Sequence, residues 1–188
     1  MTRIIAGLAG GRRLRVPPSG TRPTSDRVRE ALFSALNSRM DLEGASVLDL
    51  YAGSGALGLE ALSRGAERVV LVESDAKAVG VISGNINAVG LPGAEVRGAP
   101  VASILAGTAD REYDLVLADP PYAVDDAAIQ DILISLRKHG WVGDGSVVVL
   151  ERSSRSPETV WPEGFAPVKA RRYGEARIEW ATCYGLDS

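Results

Sequence analysis

The sequence predicts an α/β fold on a mostly parallel sheet, and three observations carry that prediction. From Val47 onward, short apolar runs alternate with segments of helical periodicity. These runs are apolar at successive positions, as strands are when helices cover both faces of a sheet. Beyond them, Pro167–Tyr173 and Ala176–Tyr184 read as two strands joined around Gly174 too tightly for a helical crossover, so they pair antiparallel. Five parallel strands and a C-terminal antiparallel hairpin make a seven-stranded sheet.

Taken in order, the chain opens with Arg3–Val16. There Gly10-Gly11 separates Arg3-Ile4-Ile5-Ala6 from Arg12-Arg13-Leu14-Arg15-Val16, a pattern that suits a small hairpin or a flexible arm. Residues 1–20 form this N-terminal unit and 21–188 the main domain. Ser25 or Thr24 caps a first helix whose apolar residues Val28, Ala31, Leu32, Ala35 and Leu36 recur at helical spacing. The strands are expected at Val47–Leu50, Val69–Glu73, Ala94–Arg97, Tyr113–Ala118 and Ser146–Glu151. The helices between them fall at Leu57–Arg64, Ala76–Val89, Val101–Ala106 and Asp126–His139. Ser153–Pro162, with its serines, arginines and prolines, reads as a surface connection.

Composition sets outer limits. A chain of 188 residues that is 45% apolar can bury one core. No run approaches the roughly 18 apolar residues of a membrane span, and Met1-Thr2-Arg3 does not open a secretory leader, so a soluble cytoplasmic protein is expected. One cysteine, Cys183, and one histidine, His139, exclude a disulfide framework and a His/Cys metal site; no metal is expected. No long apolar surface pattern demands a partner, which favours a monomer. The net charge of −3 hides an asymmetry. Residues 1–40 hold eight arginines against Asp26 and Glu30, a balance of +6, while the remainder holds 13 basic and 22 acidic residues, a balance of −9. A basic segment on an acidic body fits a localised contact with a polyanion. Charge alone allows a merely solvated arm equally well.

Chemistry concentrates in two motifs. In Val47-Leu48-Asp49-Leu50-Tyr51-Ala52-Gly53-Ser54-Gly55-Ala56-Leu57-Gly58, a G-x-G-x-x-G pattern follows a strand and opens a helix. Such glycines allow a tight turn and a close approach of backbone to ligand, and the helix start offers unpaired N–H groups. Glu73 ends the next strand 20 residues beyond Gly53, where a carboxylate can take both ribose hydroxyls of a nucleoside. Glycines and Glu73 permit either a dinucleotide or S-adenosylmethionine. Asp49 favours the latter, because a carboxylate there repels a diphosphate but balances the amino group of a methionine moiety. Asp75 reads as a surface residue or the next helix cap. The second motif, Asp119-Pro120-Pro121-Tyr122, follows the apolar run Leu115–Ala118 at the carboxyl end of a central strand. Two prolines hold that loop rigid. Asp119 and the Pro120 carbonyl can both accept hydrogen bonds from one amino group and turn its lone pair toward an incoming methyl, while Tyr122 offers a face for stacking a base.

With these residues in place, the chain resembles the class I methyltransferases that modify exocyclic amines of bases. Arg3-Ile4-Ile5-Ala6-Gly7, Gly11-Arg12-Arg13-Leu14 and Thr21-Arg22-Pro23-Thr24-Ser25-Asp26-Arg27-Val28-Arg29-Glu30-Ala31-Leu32-Phe33 narrow this to the bacterial 16S ribosomal RNA guanine-N2 methyltransferases of the RsmD type. The resemblance runs over nearly the whole chain. It implies a Rossmann-like class I methyltransferase fold, S-adenosylmethionine as cofactor and methylation of guanine 966 within the small ribosomal subunit or its assembly intermediate. The candidate cofactor residues are Asp49, Tyr51, Ala52, Gly53, Ser54, Gly55, Gly58, Glu73 and Ser74, with Asp119 at the reacting end. Where many relatives have Asp or Asn for the adenine amino group, this chain has Ala99, which can contribute only its backbone. Asp119, Pro120, Pro121 and Tyr122 are the candidate catalytic residues, and Arg3, Arg12, Arg13, Arg22 and Arg27 the candidate RNA contacts. Three rivals stand beside this reading: a DNA adenine-N6 methyltransferase, a NAD-dependent oxidoreductase, and a ribosome assembly factor without catalysis.

Overall fold

The computed structural model describes residues 2–18 and 25–185. The described residues form nine strands and five helices, in chain order β1 (Thr2–Arg3), β2 (Arg13–Leu14), α1 (Asp26–Asn37), β3 (Ser46–Leu50), α2 (Ala56–Ser63), β4 (Arg68–Glu73), α3 (Ala76–Val89), β5 (Ala94–Gly98), α4 (Val101–Ala106), β6 (Leu115–Ala118), α5 (Asp126–Lys138), β7 (Val147–Ser153), β8 (Phe165–Tyr173) and β9 (Ala176–Cys183). Seven of the strands form one sheet in the order β5-β4-β3-β6-β7-β9-β8, and β1 and β2 pair by themselves. The strands from β3 to β7 pair parallel, while β9 lies antiparallel between β7 and β8. The order reverses between β3 and β6, so the carboxyl ends of these two strands diverge into a crevice, the place where such sheets take ligands.

The observed boundaries depart from expectation where polar residues continue a ladder. β7 runs two residues past Glu151, because Arg152 and Ser153 pair with Arg177 and Ala176 of β9. β8 starts at Phe165, paired with Cys183, and passes through Pro167, which an edge strand tolerates because one side of its ladder is unpaired. Tyr113 lies outside β6; its amide donates to Trp141 O at 2.8 Å and its hydroxyl to Asp110 at 2.9 Å. The Ser153–Pro162 connection lies at the surface but is tied down from beneath. Buried Arg177 donates to the carbonyls of Ser156 at 2.7 Å and Pro157 at 2.8 Å, and Glu179 accepts from the Thr159 amide at 3.0 Å.

The core lies in two layers, one on each face of the sheet. On one face, Val47, Val69, Leu71, Leu115 and Leu117 pack against Phe33 and Leu36 of α1, Leu59 and Leu62 of α2 and Ile82 of α3. On the other, Leu48, Leu50, Val70, Val116 and Val148 pack against Leu105 of α4 and Ile129, Leu133 and Leu136 of α5. This alternation along each strand is what apolar residues at every position permit. Ser25 is the cap of α1, its hydroxyl accepting from the Val28 amide at 3.2 Å. The other expected cap, Thr24, lies outside the described residues.

The N-terminal hairpin is docked rather than free, with Ile4, Ala9 and Leu14 joining the first core layer. The buried Glu60 of α2 accepts from the amides of Ile5 at 2.8 Å and Ala6 at 3.1 Å. The fully buried Arg29 of α1 pairs with Glu60 at 3.4 Å and also donates to the Arg3 carbonyl. Gly7 has φ +85° and approaches so closely that any Cβ there would overlap the Ser63 carbonyl oxygen. The boundary expected at residue 20 falls outside the described residues. Among the described residues, no helix is long and apolar enough to cross a membrane.

Candidate active site

β3 delivers Asp49 and Leu50 to the switch point, where the chain turns sharply. Tyr51 adopts φ 57°, the left-handed conformation that a bulky residue occupies only at a cost of about 1–3 kcal/mol. The Ala52 amide then donates to Val72 O of β4 at 2.9 Å, and the Gly55 amide to Ala52 O at 2.8 Å. Two backbone amides hold Glu73: Gly53 N donates to Oε1 and Asp75 N to Oε2, each at 2.9 Å. The spacing of 20 residues read from the sequence is therefore a direct contact between carboxylate and glycine loop. Asp75 also caps α3, accepting from the Ala78 amide at 2.9 Å.

Asp49 is the most perturbed group at the site. It is 1% exposed, and its Oδ2 accepts from the Gly58 amide at 2.9 Å. Burial pushes its carboxyl up to about 8, an effect the Gly58 hydrogen bond opposes and the neighbouring charge of Glu73 reinforces. Near neutral pH such a carboxyl is protonated, and a cation placed beside it favours the ionised form.

Asp119-Pro120-Pro121-Tyr122 leaves β6 where Ala118 is level with Leu50 of β3 and Leu150 of β7. The Asp119 amide points back to Leu50 O at 3.4 Å, and the Val124 amide closes a turn on Pro121 O at 2.9 Å. From behind, buried Arg152 donates to Val124 O at 3.1 Å and Asp126 at 3.2 Å. The loop is thereby held with Pro120 buried and the Tyr122 ring 55% exposed.

These two motifs open on a single cavity of about 780 Å³, within the usual range of ligand sites. Of the expected cofactor residues, Asp49, Tyr51, Ala52, Gly53, Ser54, Glu73, Ser74 and Asp119 line it, as do Pro120, Pro121 and Tyr122. Gly55 stands at the N-terminus of α2, next to the lining residues Ala56 and Leu57. Gly55, Gly58 and Ala99 are the three expected cofactor residues that do not line the wall. Gly58 lies behind Asp49, where a Cβ would come 2.9 Å from Val69 Cγ1 and 3.0 Å from Asp49 Oδ2; its bareness lets α2 press on the sheet. Ala99 is turned into its own strand end, its amide bonded to Arg97 O at 3.1 Å.

The candidate RNA contacts separate by what they already touch. Arg12 donates to the carbonyls of Val89 and Ala88 (3.3 Å for the latter) at the end of α3, and so caps a helix. Arg3, itself exposed, pairs with Asp26 at 3.6 Å, and Arg13 and Arg27 are exposed as well. Arg22 lies outside the described residues.

Sequence reasoning missed several wall residues, notably Val16, Pro17, Pro18, Lys77 and Glu151. Glu151 had a usable signal, because it lies near the carboxyl end of a strand adjacent and parallel to β6 and so comes to the same end of the sheet. Val16-Pro17-Pro18 had none, because nothing local shows that a segment more than 30 residues ahead of the glycine loop returns to it.

A family model described as conserved hypothetical protein 95 matches residues 2–182. The ribosomal RNA small subunit methyltransferase D of Escherichia coli strain K12 is 39% identical over 152 residues, 79% of this chain and 73% of that protein. The chain belongs to the RsmD-type methyltransferase family. Another relative of this methyltransferase, the protein of the same name from Haemophilus influenzae, is 33% identical over 176 residues, 92% of this chain and 89% of its own length. Among solved structures, the yhhF protein of Escherichia coli superposes with a TM-score of 0.87 at 31% identity, covering 97% of each chain.

Proposed function

We propose that this chain transfers a methyl group from S-adenosylmethionine to the N2 amine of a guanine in 16S ribosomal RNA, at the position equivalent to guanine 966. The carrying observation is that the Asp49–Glu73 end and the Asp119–Tyr122 end share one cavity. The wall residues fit this cofactor. Glu73, with both oxygens oriented by backbone amides, presents its remaining lone pairs to the ribose hydroxyls. Asp49, desolvated and raised, is matched to a cationic amino group rather than to a diphosphate. Ala99 offers adenine no side-chain acceptor, and its amide is bonded to Arg97 O.

When bound, the cofactor supplies an electrophilic sulfonium methyl and departs as the thioether. The chain's own part is orientation. Asp119 and the Pro120 carbonyl accept the two amine hydrogens and draw the nitrogen lone pair out of conjugation toward the methyl. Tyr122, exposed at the rim, stacks on a base taken out of its helix. The surplus proton leaves the nitrogen for Asp119 or for water beyond it. Exposed Arg13 and Arg27 meet RNA phosphates. Support for the RNA comes from the relatives named for small-subunit ribosomal RNA methylation.

The test offers methyl-labelled S-adenosylmethionine together with, in separate reactions, small subunits lacking the modification, naked ribosomal RNA and duplex DNA. Label in the ribosomal substrates is the expected result, and label confined to DNA adenine sinks the proposal. Asp119→Ala should abolish transfer while leaving cofactor binding intact, and undiminished turnover would remove Asp119 from this role.

A further inference from the structure

We propose that Asn85 of α3 is a positioning residue for the cofactor, holding a strap formed by Val16, Pro17 and Pro18 in place as a wall of the cavity. The side chain of Asn85 is 1% exposed, and its amide reaches two separate segments of chain. Its Oδ1 accepts from the Arg15 amide at 2.8 Å, while its Nδ2 donates to the Arg15 carbonyl at 2.9 Å. This two-bond pattern treats Arg15 as a neighbouring strand would and fixes the direction in which the chain leaves it. The second hydrogen of Nδ2 goes to the carbonyl of Ser54, inside the glycine loop, at 2.8 Å. One buried amide thus ties the loop to the segment that faces it.

Directly after Arg15, the residues Val16, Pro17 and Pro18 line the same cavity as Gly53, Ser54 and Glu73, and Pro17 is buried. Two prolines restrict φ, so once Arg15 is fixed the strap has little freedom to swing away. Upstream, Leu14 is buried in the core and Glu60 holds the far side of the hairpin. Asn85 is the link between that anchored hairpin and the cavity wall. The Asp119–Tyr122 loop hangs instead from β6 and from Arg152, on the other side of the cavity. Loss of the Asn85 amide therefore opens the cofactor end and leaves the loop at the reacting end in place.

The inference rests on the reading of this cavity as an S-adenosylmethionine site, and calorimetric titration with that compound separates the two. Wild-type protein binds it; Asn85→Ala, which strips three hydrogen bonds from main-chain groups, binds at least about tenfold more weakly. In methyl transfer, KM for the cofactor rises by the same factor, whereas kcat at saturating cofactor falls by less. A second variant, Pro17→Gly with Pro18→Gly, loosens the strap without touching α3 and carries the test if Asn85→Ala does not fold. It also weakens binding, while the melting temperature falls by no more than the several degrees that freeing two prolines in the unfolded chain costs. Wild-type affinity in the folded variants, even with a lowered melting temperature, overturns the proposal and makes Asn85 a fold residue only. Wild-type protein that does not bind S-adenosylmethionine overturns the reading beneath it, and this proposal with it.

Discussion

Replacing Asp49 by asparagine is expected to stabilise the ligand-free protein while weakening its hold on the cofactor. The carboxyl is buried and pushed from an ordinary 3.8 up to about 8. The native state keeps this proton longer than the unfolded chain does, so the group removes stability as pH rises from about 4 to about 8 and removes no more above that. At pH 7 the two states differ by about three units of titration, which at roughly 1.4 kcal/mol per unit comes to about 4 kcal/mol as an upper bound. Asparagine keeps an oxygen for the Gly58 amide and cannot ionise. For a chain of this length, a gain of that size raises Tm by about 10 °C. The assay is thermal and urea unfolding of both proteins between pH 5 and pH 9, beside cofactor titration at the same pH values. Wild-type stability should fall across that range relative to Asp49→Asn, and wild-type affinity for the cofactor should rise with pH up to about 8 as the carboxyl ionises beside the amino group. Equal stabilities at pH 7, with parallel pH profiles, would refute the assignment of a protonated buried carboxyl.

Three further outcomes come from the packing. Arg29→Ala removes one of the two arginines paired with buried Glu60, with Arg64 at 2.9 Å remaining, and should cost about 1–3 kcal/mol in urea unfolding; a cost below about 0.5 kcal/mol would mean the Arg29 pair is dispensable. Gly58→Ala places a methyl 2.9 Å from Val69 Cγ1 and 3.0 Å from Asp49 Oδ2, so it should cost about 1–3 kcal/mol and weaken cofactor binding from behind the wall, as unfolding and calorimetry would show. Arg12 and Arg13 should part company. Arg13→Ala should reduce the slope of log affinity for RNA against log salt by about 0.7–0.9, whereas Arg12→Ala should mainly cost about 1 kcal/mol of stability by uncapping α3. Equal salt slopes in the two variants would contradict that division.

The strand and helix order was legible because continuous apolar runs and apolar recurrence at 3.6 residues are local signals, and α3 and α4 fall at their expected bounds. Glu73 was legible as well, since its spacing from the glycines reflects one βαβ unit and its contact with Gly53 is the geometric result. Long-range contacts escaped. Arg12 reads as a free cation in sequence, yet it meets helix carbonyls 76 and 77 residues away. Gly58 reads as one more loop glycine, yet it serves the contact between helix and sheet. Asn85 carries no motif at all; only the folded chain shows that its amide spans two walls of one cavity. Ser153 read as the first residue of a connection rich in serine, arginine and proline, and Arg152 lay past the expected strand end, but pairing with β9 carries both into the strand.

The central claim is methyl transfer to a guanine amine held between Asp119 and Tyr122, and the identity of the modified nucleoside tests it most directly. Small subunits lacking the modification would be incubated with the protein and labelled S-adenosylmethionine, and their RNA digested to nucleosides and resolved by chromatography with mass detection. The label should co-elute with N2-methylguanosine and be absent when Asp119→Ala replaces the wild-type protein. Label in N6-methyladenosine, or in a ring-methylated base, contradicts the claim.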